Sequence, residues 1–182
     1  MTNHLRSGPA TQPLRKEHQE LLPHIMALLT AADMVGEVSM ADLHREVDAA
    51  YGFLTGHLVP HAIAEERALY PVVAKVMGAR QATATMSRDH VAIERLIKEL
   101  GELRPALIDT ELEPMTARAL RRVLYGLYAL VVVHFAKEED VYFPLLDASL
   151  SQEAARSMYR KMEDAAQAAR VRSANGYTSG LC

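Results

Sequence analysis

The stretch Val131-Val-Val-His-Phe-Ala-Lys-Glu-Glu-Asp-Val-Tyr-Phe-Pro144 has a near-copy upstream in Leu58-Val-Pro-His-Ala-Ile-Ala-Glu-Glu-Arg-Ala-Leu-Tyr-Pro71. Laid over each other, His61 falls on His134, Glu65 on Glu138, Glu66 on Glu139 and Pro71 on Pro144, an offset of 73 residues (61 to 134). A second pair repeats at almost the same offset: His18 in Arg15-Lys-Glu-His18 and His90 in Arg88-Asp-His90, 72 residues apart (18 to 90). Self-similarity of this length predicts a duplicated helical hairpin.

The spacing inside the repeat carries chemistry. Four residues of an α-helix turn through about 400°, so His-x-x-x-Glu sets an imidazole and a carboxylate about 40° apart on one face, one turn from each other. Such a pair can grip one ion. Two copies of it, with His18 and His90 each on a further apolar periodic stretch, bring four histidines and two glutamates to one core. A lone pair of this kind on a helix is ordinarily a solvated surface pair. Here both copies lie on the apolar stripe, where a buried carboxylate needs a cation or a partner. Nitrogen and oxygen ligands without thiolate favour iron, manganese or zinc. Six ligands exceed what one tetrahedral zinc uses, so the pattern predicts two ions with the carboxylates between them.

The rest of the chain fits one bundle around that core. Its 182 residues are 49% hydrophobic and 24% charged, suited to a single domain. Residues 1–12 read as a flexible arm, 13–150 as the bundle, 151–172 as a short additional helix and 173–182 as a disordered tail. From Leu14 the apolar positions recur at helical spacing with His18 on the same stripe; Pro23 should kink this helix and Gly36 close it. Ser39 with Asp42 reads as an N-cap for the second helix, whose stripe is expected to run through Leu54, His57, His61, Glu65, Ala68 and Val72, with a kink at Pro60. The third helix carries Met86, His90, Ile93 and Ile97. The fourth begins near Pro114 and runs through Leu127, Val131, His134, Glu138, Val141 and Leu145. No stretch alternates with period two. The predicted fold is therefore all-α, an up-down-up-down four-helix bundle.

Net charge and composition narrow the partners. A formal charge of −3 leaves no basic field for nucleic acid. No apolar core of a signal peptide and no apolar run of about 18 residues is evident, so no membrane partner is expected. The single cysteine, Cys182, excludes an intramolecular disulfide and a cysteine-rich metal site, and fits a cytoplasmic protein.

The order His18, His61-x-x-x-Glu65, His90, His134-x-x-x-Glu138, with each Glu followed by a second Glu and then Tyr-Pro or Phe-Pro, resembles a hemerythrin-like HHE cation-binding domain over about residues 14–147. The resemblance implies a non-haem di-iron centre of two iron ions, oxo- or hydroxo-bridged, open to small ligands such as O2, H2O2 or NO. It carries the ligand roles to His18, His61, Glu65, His90, His134 and Glu138. The chain departs from the oxygen carriers, which have His-x-x-x-His on the third helix and a longer His-to-Asp spacing on the fourth. Here Glu94 follows His90 at four residues, and Glu138 follows His134 at four. Ferritin-like proteins run Glu-x-x-His, the opposite order.

Two further residues lie near the predicted site. His57, one turn before His61, shares the core stripe and reads as a seventh metal ligand. Glu94, one turn after His90, reads as a further ligand or a proton carrier beside the ions. Glu66 and Glu139, one step round from the ligands, are expected to face solvent or pair with Arg and Lys. Tyr70 and Tyr142 read as core residues, and His24, His44 and His4 as exposed. Three functions are compatible with this set: an enzyme turning over peroxide or NO, a module that senses or stores O2, NO or iron, and a metal-free helical partner protein, which the buried charges disfavour.

Overall fold

The structure, a computed structural model, describes residues 9–174. It is 87% helical, and the described residues contain no strand. Helix α1 is Gln12–Met34. Helix α2 covers residues 40–77, α3 is Ala84–Leu103, α4 is Pro114–Ser149 and α5 is Gln152–Ala174. Side-chain contacts fix the directions. Going up α1, residues 17 and 24 meet 61 and 53 of α2. Residues 48 and 66 of α2 meet 104, just past α3, and 90, residues 89 and 99 of α3 meet 134 and 122 of α4, and 121 and 139 of α4 return to 35 and 18. Every neighbouring pair is antiparallel, which is the up-down-up-down bundle.

The helix ends follow the sequence signals. Ser39 Oγ accepts from the Asp42 amide at 3.1 Å, and the Glu113 carboxylate caps α4 by accepting from the Thr116 amide at 3.0 Å. Gly36 and Gly78 end α1 and α2 at φ of 82° and 64°, the left-handed conformation that glycine adopts without steric cost. Arg104–Ile108 adds a 3₁₀ turn after α3.

Three turns depart from α-helical geometry, and they decide the site. In Leu54–Leu58, Glu65–Leu69 and Glu138–Tyr142 the helix widens to i→i+5 hydrogen bonding, so that Val59, Tyr70 and Phe143 donate to the carbonyls of Leu54, Glu65 and Glu138. Each widened turn stands just before a proline: Pro60, Pro71 or Pro144. Proline has no N–H to donate, and its ring crowds the carbonyl four residues back, so the preceding turn relaxes by taking in one more residue. The helix continues through each proline, and a widened turn, one of the usual causes of a kink, stands before Pro60, where a kink was expected. Helix α1 likewise runs unbroken through Pro23.

Each added residue moves the core stripe on by one position. After Glu65 the buried residues are Ala68, Leu69, Tyr70 and Val73, with Val72 only half-buried. After Glu138 they are Tyr142, Phe143 and Leu146, while Val141 is 53% exposed. The expected stripe thus holds through Ala68 after Glu65 but not at Val72, and past Glu138 it fails at Val141 and Leu145.

The start of α1 is tied to α4 and α5. The Thr11 amide and hydroxyl both donate to Asp147, at 2.7 and 3.0 Å, and the Tyr159 hydroxyl donates to the Ala10 carbonyl at 2.7 Å. Residues 10–12, expected in a loose arm, are therefore held against α4 and α5; residues 1–8 lie outside those described. The additional helix expected at 151–172 is α5, whose 23 residues equal α1. It lays Ala155, Met158, Met162, Ala165 and Ala169 over residues 59–69 of α2, covering the segment that carries His61 and Glu65. The expected tail at 173–182 overlaps its last turn at Ala174, and residues 175–182 lie outside those described. Helix α4 contains a stretch apolar and long enough to cross a membrane by composition, contrary to expectation. Its core-facing Leu120, Leu127 and Val131 account for much of that character.

Candidate metal centre

All six expected ligands meet in the core, two from α2, two from α4 and one each from α1 and α3. His18, His61, His90 and His134 are 2 to 3% exposed, and Glu65 and Glu138 are fully buried. The Nε2 atoms point inward. His61 Nε2 lies 3.0 Å from Glu65 Oε1, and His90 Nε2 lies 3.2 Å from Glu65 Oε2. His18 Nε2 is 3.4 Å from Glu138 Oε2, and His134 Nε2 is 3.8 Å from Glu138 Oε1. Each carboxylate therefore offers one oxygen to the His18–His61 side and the other to the His90–His134 side. Donor atoms of His18, His61, Glu65 and Glu138 form one set with the spacing of a metal site, and those of Glu65, His90 and His134 form another.

The donor set calls for cations. His18 Nε2, His61 Nε2, both Glu65 oxygens and Glu138 Oε2 are buried without a hydrogen-bond partner, a state that costs about 1–3 kcal/mol per group or more when the group is charged. His90 Nε2 and His134 Nε2 face each other at 3.0 Å. Their Nδ1 atoms contact the carboxylates of Glu66 at 2.8 Å and Asp89 at 3.2 Å, which places Nδ1–H on the outer side and turns Nε2 inward. Between the two Nε2 atoms there is a place for a cation, whether a proton or a metal ion. Metal fits this site.

The hemerythrin HHE cation-binding domain model matches residues 10–146, and a second match spans residues 82–175. The chain belongs to the hemerythrin HHE family. The second match begins at α3, where the internal repeat starts again, as a duplicated hairpin requires. No curated protein and no solved structure gives a significant match.

Other groups complete the HHE site. The Tyr70 hydroxyl donates to Glu138 Oε1 at 2.9 Å and stands 3.4 Å from both His90 Nε2 and His134 Nε2. Five residues after Glu65, it would point elsewhere on a regular helix; the widened turn before Pro71 brings it to the same side. Phe135 stacks on the His18 ring at 3.9 Å, with the planes 5° apart. On the outer side, His18 Nδ1 contacts Glu139 Oε1 at 3.1 Å. His61 Nδ1 lies 3.1 Å from Glu17 Oε1, a contact closer to an ion pair than to an aligned hydrogen bond. Glu66 and Glu139, expected to face solvent or to pair with Arg and Lys, are thus partners of ligand histidines. The readable signal for them was position: Glu17 and Asp89 directly precede a ligand at equivalent places in the repeat, and Glu66 and Glu139 directly follow one.

His57 does not join the cluster. Leu58, five residues after Phe53, takes the next core position because the turn at Leu54–Leu58 holds an extra residue. His57 is left exposed, its ring stacked on Phe53 at 5.8 Å. His57→Ala is expected to leave metal content and absorption unchanged and to shift stability by no more than about 0.5 kcal/mol; loss of bound metal in this variant would return His57 to the ligand set. Glu94 is half-buried. It lines, with His61, Glu65, His90, Val131 and His134, a cavity of about 10 Å³, room for roughly one water-sized molecule.

The charges are arranged for bound cations. Burial works against a charged His18, yet the Glu138 and Glu65 carboxylates hold its pKa up to about 9. Burial likewise opposes charge on His90, and Glu65 and Glu66 raise it to about 9. His61 is raised well above the ordinary range by Glu65 and Glu17 against the same opposition. Burial pushes the Glu65 carboxyl up, but His61 and the imidazoles around it hold it well below the usual range. Glu138 is raised by burial and by the charge of Glu65. Without metal, protons on imidazoles supply the positive charge that the carboxylates require.

Proposed function

We propose that the chain is a non-haem di-iron protein that reacts with small oxidants, disproportionating hydrogen peroxide in the manner of a catalase, with NO or O2 as further ligands. The reading rests on one observation: two histidine pairs flank two carboxylates that each offer one oxygen to either pair, beside a cavity of one-water size. His18, His61, Glu65 and Glu138 would hold one ion, and Glu65, His90 and His134 the other. Two irons, when bound, supply the exchange of two electrons between two peroxide molecules, which redox-inert zinc does not.

The protein supplies exclusion, orientation and protons. Leu58, Val131 and Phe135 line the cavity with apolar surface, and its one-water size favours the smallest ligands. Tyr70 holds Glu138 through its hydroxyl. Glu94 lines the cavity beside His90 and can take a proton from one peroxide and return it to the other. The balance is two peroxides to two waters and one dioxygen, with no net proton.

The test is oxygen evolution from added peroxide. Iron-loaded protein should release oxygen, while Glu65→Ala and zinc-loaded protein should not. Glu94→Gln should keep its metal and lose about 10²-fold or more in rate, the usual range for a general acid–base group. Oxygen release that is absent, or equal in all these forms, would remove turnover and leave a module that senses or stores O2, NO or iron.

A further inference from the structure

The four acids on the outer side of the ligand histidines follow a rule of connection. Glu17 on α1 meets His61 on α2; Glu66 on α2 meets His90 on α3; Asp89 on α3 meets His134 on α4; and Glu139 on α4 meets His18 on α1. Each helix lends its acid to the histidine of the next, and the fourth closes on the first. All four contacts are to Nδ1. Two of the acids are themselves held, Glu66 by the Ser87 hydroxyl at 3.0 Å and Asp89 by the Lys137 ammonium.

We propose that Glu17, Glu66, Asp89 and Glu139 are positioning residues that act as a closed ring, fixing every ligand histidine with Nε2 inward and so setting how firmly the centre keeps its metal. This deepens the metal-centre reading and rests on it, but it does not depend on peroxide turnover. An imidazole has two nitrogens and a freely turning Cβ–Cγ bond. A carboxylate on Nδ1 selects the tautomer, locks the ring plane and makes Nε2 a stronger donor. Because each acid comes from the neighbouring helix, tautomer and ring orientation are tied to the packing of that pair of helices. A histidine can swing away from metal only if its acid gives way or the two helices part. The added negative charge also favours the more positive state of a bound metal.

The experiment compares the parent protein with Glu17→Gln, Glu66→Gln, Asp89→Asn and Glu139→Gln, each iron-loaded, by the rate at which a chelator strips the iron and by the reduction potential. Each amide variant should lose iron about 10–100-fold faster, the usual cost of removing such a partner, with the potential shifted upward. Glu66→Asp, which keeps the charge on a shorter arm, should regain part of the loss. Glu20→Gln serves as control, since Glu20 is exposed and pairs with Lys16 at 3.4 Å; it should match the parent. Stripping rates within about twofold of the parent in all four amide variants would overturn the proposal.

The zinc-loaded parent gives an arm that needs neither redox chemistry nor a variant that folds. Its histidine nitrogen resonances should show four protonated Nδ1 atoms and four metal-bound Nε2 atoms. Metal on Nδ1, or Nδ1 protons exchanging as fast as those of exposed His57, would equally overturn it. A protein that passes this arm but releases no oxygen from peroxide would refute turnover alone.

Discussion

Glu65→Ala is expected to strip the protein of both ions together, where His18→Ala weakens one. Glu65 is the one residue common to both donor sets, with Oε1 at 3.0 Å from His61 Nε2 and Oε2 at 3.2 Å from His90 Nε2. His18, by contrast, belongs to one donor set, with its Nε2 3.4 Å from Glu138 and 4.0 Å from Glu65. Removing Glu65 also leaves four imidazoles facing a single carboxylate, so cations that remain would lack a balancing charge. Elemental analysis should find about two irons per chain in the parent and essentially none in Glu65→Ala. Ions held at a thousandfold excess over their dissociation constant stabilise by about 4 kcal/mol. Losing them should lower the melting temperature by roughly 10 °C in a chain of this size. Two ions retained in Glu65→Ala would show that it does not join the two halves of the site.

The six inner side chains of the cluster were legible in the sequence because a repeat fixes register without help from geometry. His61 and His134, Glu65 and Glu138 identify each other, and an i, i+4 pair stays on one face within a single turn. The bundle was legible for a related reason: four apolar stripes at helical period, separated by Gly36, Gly78 and the turn before Pro114, have few other ways to bury themselves. What failed was extrapolation beyond a turn. The reading put His57 in the site and left Tyr70 out. Both errors come from the same device, an extra residue in the turn before a proline, which a uniform 100° step cannot register. The prolines themselves were visible, but a helical proline does not say whether the turn before it takes in an extra residue. Packing around Glu65 and Glu138 decides for the widened turn here. The outer acids lay next to ligands in sequence, but their partners lie on other helices, and no local pattern says which way an adjacent carboxylate turns.

Metal-free protein is expected to lose stability between pH 6.5 and about 9, while the metal-loaded form does not. His18 and His90 have folded pKa values raised from 6.5 to about 9. A raised value means that the folded state holds the proton more tightly, so the stabilisation is fully present below 6.5 and disappears as pH climbs through about 9. Each histidine contributes on the order of 3 kcal/mol at the low end of that window, and the sum is smaller because both pair with Glu65. Glu138, raised from 4.5 by burial and by the charge of Glu65, acts in the same direction. Glu65, lowered from 4.5, has its stabilisation fully present across the whole window and adds no slope. Metal reverses the dependence. Bound imidazoles must be neutral, so ions compete with protons for Nε2 and bind more tightly as pH rises. Melting curves of both forms at pH values spanning this window should therefore draw apart, with the metal-free curve falling and the loaded curve level or rising. A metal-free melting temperature that is flat or rising from pH 6.5 to 9 would show that protons do not stand in for cations in this core.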